Sequence, residues 1–235
     1  MQKRNIKTYK NLYFDLDRTL WDFRTNSEEV LFDLIKKYLP GFISNFSIFL
    51  KTYYTINEDL WLKYRNGEIT KEILRHKRFI DTLKTLNIGD NNIAVKMGED
   101  YIKNSPYKTG LFPHTIETLT YLKNKGYRMF LLTNGFLEVQ KIKIKESKLN
   151  IFFEKMITSE EAGYQKPHRR IFEYALKTVN AKKDESIMIG DDIENDILGA
   201  KQFGMDTVFF NEKKLNHSTK PTFEITDLSE LIYVF

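Results

Sequence analysis

An α/β fold, a doubly wound parallel sheet carrying a helical insertion, is what this sequence predicts. Three observations lead there: short apolar runs that end in polar residues, helical patterns separating the later runs, and more than a hundred residues without a strand pattern after the first run. Residues 11–15 (NLYFD) form the first run, apolar and closed by an acid, which reads as a buried strand. Residues 128–133 (RMFLLT) follow Gly126 as the second, and 155–158, 186–190 (SIMIG) and 206–210 (DTVFF) complete the set. Residues 115–125 place Ile116, Leu119 and Leu122 on one helical face, with Gly126 as the stop. Residues 136–147, 168–179 and 194–203, the last closed by Gly204, repeat that helical pattern.

The stretch after the first strand reads as four further helices. Residues 27–38 open with Ser27, Glu28 and Glu29, a helix-start composition, and close before Pro40-Gly41. Residues 47–64, 70–86 and 92–103 follow. A connection this long is not a loop in a compact domain. It is expected to be a helical cap over residues 24–105, inserted into a core made of residues 1–23 and 106–235.

Composition narrows the function classes. The chain has 235 residues, of which 41% are hydrophobic and 14% aromatic, enough to build a core and to exclude a wholly disordered chain. No run approaches about 18 consecutive apolar residues, so no membrane-spanning helix is expected. The N-terminus (MQKRNIKTYK) is basic without an apolar stretch behind it, unlike a secretory signal, and a cytoplasmic protein is expected. Cysteine is absent, which removes thiolate metal sites and a cysteine nucleophile, and the four histidines have no zinc-ligand spacing. The net charge of +5 comes from 37 basic residues interspersed with 32 acidic ones, which argues against a nucleic-acid polymer and suits a small anionic substrate. The densest basic patch, Lys141, Lys143, Lys145 and Lys148, reads as the solvated face of a helix.

In open α/β sheets ligands bind outside the carboxyl ends of the strands. Here every such end is polar: Asp15-Leu16-Asp17 after the first strand, Thr133-Asn134-Gly135 after the second, Gln165-Lys166-Pro167 beyond the third, and Gly190-Asp191-Asp192, then Asp196, after the fourth. Two residues apart on extended chain, Asp15 and Asp17 are expected to face the same way. Carboxylates so placed repel unless a cation neutralises them, and Asp191 would bring a third. Clustered acids without cysteine or histidine suit a hard cation, Mg²⁺ above all. Thr133 offers a hydroxyl donor, the amides beside it can hold an anion, and Lys166 adds a fixed positive charge. That inventory fits phosphoryl transfer: a carboxylate nucleophile, a metal, donors for the equatorial oxygens and a second acid for the leaving group. Singly, each motif is as well read as a turn, a cap or a loop; four at successive strand ends are not.

The four motifs, FDLDRTL, LLTNG, QKP and GDDIENDILGA, resemble those of the haloacid dehalogenase-like (HAD) hydrolase superfamily, and they span Asp15 to Asp196. The resemblance implies a Rossmann-like core with an inserted all-helical cap. It implies Asp15 as a nucleophile forming an aspartyl-phosphate, and Asp17 as acid and then base for the hydrolytic water. Thr133, Asn134 and Lys166 would bind the phosphoryl group. Asp191 would bind Mg²⁺ with Asp15 and the Asp17 main-chain carbonyl, with Asp196 supporting the metal from behind and Asp192 falling beside the motif acid. Arg18 departs from the pattern, standing where many members carry glycine. The superfamily's dehalogenases lack the second motif acid, so the presence of Asp17 disfavours dehalogenation. Mutases of sugar phosphates keep both acids and remain open.

The segment from Asn57 to Thr70 (NEDLWLKYRNGEIT) and the stretch ITSEEAG before Lys166 are similar to the subfamily of house-cleaning pyrimidine 5′-nucleotidases. This similarity implies a small phosphorylated metabolite, a pyrimidine nucleoside 5′-monophosphate, standard or non-standard, as the substrate; separately, a monomer or dimer is expected. Trp61, Tyr64 and Phe79 have the chemistry to stack on a base, and Arg65, Arg75 or Arg78 to meet a phosphate or carbonyl, although aromatics at helical spacing more commonly pack helix pairs. Alternatives are a phosphatase or mutase of another phosphometabolite, such as phosphoglycolate or a sugar phosphate, and a phospho-receiver signalling module. Receivers are shorter and place the phosphorylated acid later in the chain.

Overall fold

The computed structural model describes residues 8–235. By its contacts the chain divides into two compact units, one formed by the chain up to Phe23 with Thr109–Phe235, the other by Arg24–Lys108.

The first strand, β1 (Asn11–Phe14), leads into the helical unit: α1 (Phe23–Tyr38), α2 (Phe46–Arg65), α3 (Lys71–Leu86) and α4 (Asn91–Asn104). Thr70 caps α3 by accepting from the Ile73 amide, and Asp90 caps α4 by accepting from the Ile93 amide. α1 begins four residues before the expected Ser27. That serine is buried within the helix, and its hydroxyl lies 2.9 Å from the Tyr101 hydroxyl, so it serves packing and not capping. Leu31, Ile35, Phe49, Tyr53, Phe79, Ala94 and Met97 are fully buried and form the core of this unit.

The chain then continues through α5 (Thr115–Asn124), β2 (Arg128–Thr133), α6 (Leu137–Glu146), β3 (Lys155–Thr158), α7 (Ser159–Ala162), α8 (Arg169–Thr178) and β4 (Ser186–Gly190). It ends through α9 (Gly199–Phe203), β5 (Asp206–Phe210), β6 (Phe223–Ile225) and α10 (Leu231–Val234). The six strands form one parallel sheet in the order β3-β2-β1-β4-β5-β6. Alternation sorts their side chains into two layers. Leu12, Phe14, Met129, Leu131, Ile187, Ile189, Val208 and Phe210 pack on one face, and Tyr13, Phe130, Leu132 and Met188 on the other. Helices cover both faces, which is why these strands read as continuous apolar runs.

Strand order reverses at β1: the chain moves out through β2 and β3 on one side, then through β4, β5 and β6 on the other. This is the topological switch point at which such sheets bind ligands. The short elements β6, α7 and α10 carry too little periodicity to be read from sequence. The expected helix over residues 194–203 divides, its first part Ile193–Leu198 being a wider π-helical turn ahead of α9.

Candidate active site

Asp15 follows β1 directly, its amide donating to the Ile189 carbonyl at 2.9 Å. The chain then leaves extended geometry. The Leu20 and Trp21 amides both close on the Leu16 carbonyl, at 3.0 and 2.9 Å, and Arg18 sits at φ 70°. That left-handed conformation is the physical reason glycine suits this position; Arg18 occupies it with its guanidinium 5.4 Å from the Phe23 ring centre. Because of this turn, Asp15 and Asp17 enter separate hydrogen-bond networks and do not act as a strand pair.

Lys166 organises the first network. It is 2% exposed, and its ammonium donates to Asp15 Oδ1 (2.7 Å), Asp196 Oδ1 (2.6 Å) and the Leu132 carbonyl (2.7 Å), using all three protons. Burial alone would depress this ammonium, but Asp15 and then Asp196 hold it above an ordinary lysine. Asn134 fixes the loop: its Oδ1 accepts from the Lys166 amide at 2.8 Å and its Nδ2 donates to the Lys166 carbonyl at 2.9 Å. The expected phosphoryl ligand Asn134 thus spends its side chain on the lysine's backbone.

Three carboxylates converge here. Oxygen atoms of Asp15, Asp191 and Asp196 lie within 4.8 Å of one another. Burial raises the Asp15 carboxyl, against the lowering effect of Lys166. Burial, then repulsion from Asp15 and Asp196, pushes Asp191 well above the carboxylate range, and burial pushes Asp196 to about 7. The cluster therefore holds more acid than one lysine balances. Its all-oxygen donor set, without histidine or thiol, fits a hard divalent cation such as Mg²⁺. The Thr19 hydroxyl orients Asp191, donating to its Oδ1 at 3.1 Å.

Asp192 faces elsewhere. Its Oδ1 caps the π-helical turn, accepting from the Glu194 and Asn195 amides at 3.0 and 2.9 Å. Asp196, one turn on, comes back toward β4, and its Oδ2 accepts from the Asp192 amide at 3.2 Å. Gly190 makes room for it: a Cβ there would lie 2.2 Å from Asp196 Oδ2.

The second network surrounds Asp17. Lys143 Nζ donates to its Oδ1 at 2.5 Å and Gln140 Nε2 to its Oδ2 at 2.7 Å. Gln140 also donates to Thr133 Oγ1 (2.9 Å), as does the Gly135 amide (3.0 Å). Accepting twice, the Thr133 hydroxyl keeps its own proton to donate. Lys143 is a correction to the solvated-face reading of its patch: it is 5% exposed, with its ammonium 4.0 Å from the Trp21 ring centre. Sequence reasoning passed over Gln140 as well. The available signal was their i, i+3 spacing on α6, the helix launched from Thr133.

The sequence matches the family model for haloacid dehalogenase-like hydrolases over residues 9–204. The chain belongs to the haloacid dehalogenase-like hydrolase family. Among HAD relatives, it is 28% identical to the pyrimidine 5′-nucleotidase YjjG of Escherichia coli K12, over 94% of this chain and 95% of the relative. It is 38% identical to a glyceraldehyde 3-phosphate phosphatase of Methanothermobacter thermautotrophicus over 127 residues, covering 51% of this chain and 56% of that one. A crystal structure of the HAD-hydrolase YfnB of Bacillus subtilis, bound to magnesium, superposes with a TM-score of 0.86 at 26% identity, covering 97% of this chain and 99% of that one. The fold and the family expected from the four motifs are both present. Among the described residues, no helix is long and apolar enough to cross a membrane.

Proposed function

We propose that this HAD hydrolase is a Mg²⁺-dependent phosphatase that hydrolyses pyrimidine nucleoside 5′-monophosphates through a phosphorylated Asp15. The observation that carries the reading is the buried Lys166 ammonium bonded to Asp15 at 2.7 Å, with Asp17 two residues on in a network of its own. The Asp15 oxygen not bonded to Lys166 attacks phosphorus, and the bond from phosphorus to the ester oxygen breaks. Asp17 delivers the proton that the leaving nucleoside oxygen takes up. It then removes a proton from water, whose oxygen attacks the phosphorus and releases phosphate and free Asp15. Lys143 and Gln140 hold Asp17 in one rotamer for both steps. Thr133, with its free proton, binds an equatorial oxygen, and Lys166, its three protons held by Asp15, Asp196 and the Leu132 carbonyl, acts on the phosphoryl group through its charge.

Asp15, Asp191 and the Asp17 main-chain carbonyl would hold Mg²⁺, with Asp196 behind them. The cation would neutralise charge on the acids and the phosphoryl oxygens. The intact Asp17 favours phosphate esters over carbon–halogen substrates. The nucleotide assignment is supported by the 28% identity to a pyrimidine 5′-nucleotidase along nearly the whole chain. A second reading, a phosphatase of another small metabolite, is favoured by the higher identity to a glyceraldehyde 3-phosphate phosphatase over half the chain.

A phosphate-release panel with Mg²⁺ decides between them. It compares uridine, thymidine, adenosine and guanosine 5′-monophosphates with phosphoglycolate, glyceraldehyde 3-phosphate and sugar phosphates. We expect the pyrimidine nucleotides to lead in kcat/KM, a chelator to stop turnover, and Asp15→Asn to cost on the order of 10³-fold or more. Preference for a three-carbon phosphate would replace the nucleotide assignment. Near-normal turnover by Asp15→Asn would remove the mechanism.

A further inference from the structure

Outside the acid cluster, the helical unit buries a cation that the proposed chemistry does not use. Arg78, on α3, is 7% exposed. An arginine does not escape burial by losing its proton, so its charge needs a partner. Among the described residues no carboxylate pairs with it. Its one hydrogen bond from the guanidinium is long, from Nη1 to Asn57 Oδ1 at 3.4 Å, and its buried Nε–H has no acceptor. The surroundings are aromatic: the Tyr101 ring centre lies 4.5 Å from the guanidinium carbon and that of Phe79 5.6 Å. Ring faces compensate part of the charge but accept no in-plane N–H bonds. Asn57, from α2, is 2% exposed and brings an amide to the same place.

A guanidinium with an unused donor edge, stacked on a tyrosine and flanked by a buried amide, is equipped to bind paired oxygen acceptors. We propose that Arg78 and Asn57 form a ligand-binding site of the helical unit, taking either the carbonyl oxygens of a pyrimidine ring or an oxyanion. Tyr101 and Phe79 hold the guanidinium plane, and Thr82 ties the helix beneath it by donating to the Arg78 carbonyl at 2.6 Å. Only the ring-carbonyl arm rests on the nucleotidase reading. The site itself stands without it.

The test is side-chain NMR of the full-length wild-type protein, following the arginine Nε–Hε resonances. Arg78 is assigned by the peak lost in Arg78→Lys. Uridine, which carries the ring and no phosphate, and inorganic phosphate are added separately up to about 10 mM. We expect a saturable shift of the Arg78 resonance with one of them, weakened at least tenfold by Asn57→Ala. A response to uridine identifies a carbonyl-bearing ring. A response to phosphate alone identifies an oxyanion site and leaves the nucleotidase reading to its own panel. An Arg78 resonance that moves with neither overturns the proposal and leaves the guanidinium a packing element. The titration is made on the wild type, and where Arg78→Lys folds poorly the resonance is assigned from its through-space contacts to the Tyr101 and Phe79 rings.

Discussion

Replacing Lys166 with methionine removes one charge from the most concentrated set of acids in the chain while keeping the stem's packing. Lys166 bridges Asp15 and Asp196 at 2.7 and 2.6 Å with all three residues buried, and removing one partner of a buried ion pair costs about 3–5 kcal/mol. At about 2–4 °C per kcal/mol for a chain of this size, that lowers the unfolding midpoint by roughly 6–20 °C. The loss depends on pH. Both acids have folded pKa values above their unfolded ones, Asp196 at about 7 even with the lysine beside it. A raised carboxyl is tolerated while protonated and becomes a burden as pH rises through its folded value, so the penalty is larger at pH 7.5 than at pH 5.5. Thermal unfolding in chelator at the two values, followed by addition of Mg²⁺, measures this. We expect Mg²⁺ to recover more stability in the variant than it adds to the wild type, since the variant has one more uncompensated negative charge. A Lys166→Met midpoint equal to that of the wild type at both pH values would refute the electrostatic account of the cluster.

Three further outcomes follow from the same geometry. Asp17→Asn should slow hydrolysis of uridine 5′-monophosphate at least tenfold more than that of p-nitrophenyl phosphate, whose leaving oxygen needs no proton; parallel initial rates with equal losses would make Asp17 structural. Gly190→Ala places a methyl group 2.2 Å from Asp196 Oδ2, so Asp196 must swing out, costing about 1–3 kcal/mol and most of the turnover. Wild-type denaturant midpoint and phosphate release would contradict that crowding. In the helical unit, hydrogen bonds from Lys37 and then Tyr38 hold the Asp100 carboxyl below the usual range. A lowered carboxyl stabilises above its unfolded pKa and stops doing so as pH falls through the folded one. Asp100→Asn should therefore be less stable than the wild type at pH 7, by less than about 1 kcal/mol for a pair this exposed, and the difference should shrink in urea unfolding as pH falls below the ordinary carboxylate range.

Local pattern alone was enough to locate five of the strands and the long helices, because burial on both sheet faces leaves unbroken apolar runs and a helix repeats its apolar face every turn. It was also enough to gather the chemistry: polar residues at the ends of buried parallel strands have nowhere to point but the edge where the strands stop. The allocation of roles among those residues needed the folded chain. Asp191, Asp192 and Asp196 are equivalent as letters; only the π-helical turn sends Asp192 to cap its own amides and brings Asp196 back to Lys166. The i, i+3 spacing of Gln140 and Lys143 does not say that they meet Asp17, more than a hundred residues earlier, and Arg78 has the same composition signal as the half-buried Arg65 and Arg75 near it. Periodicity records which way a residue faces within its own element. Which distant groups share that space is set by how the elements pack, and the electrostatics of a buried site depend on that packing.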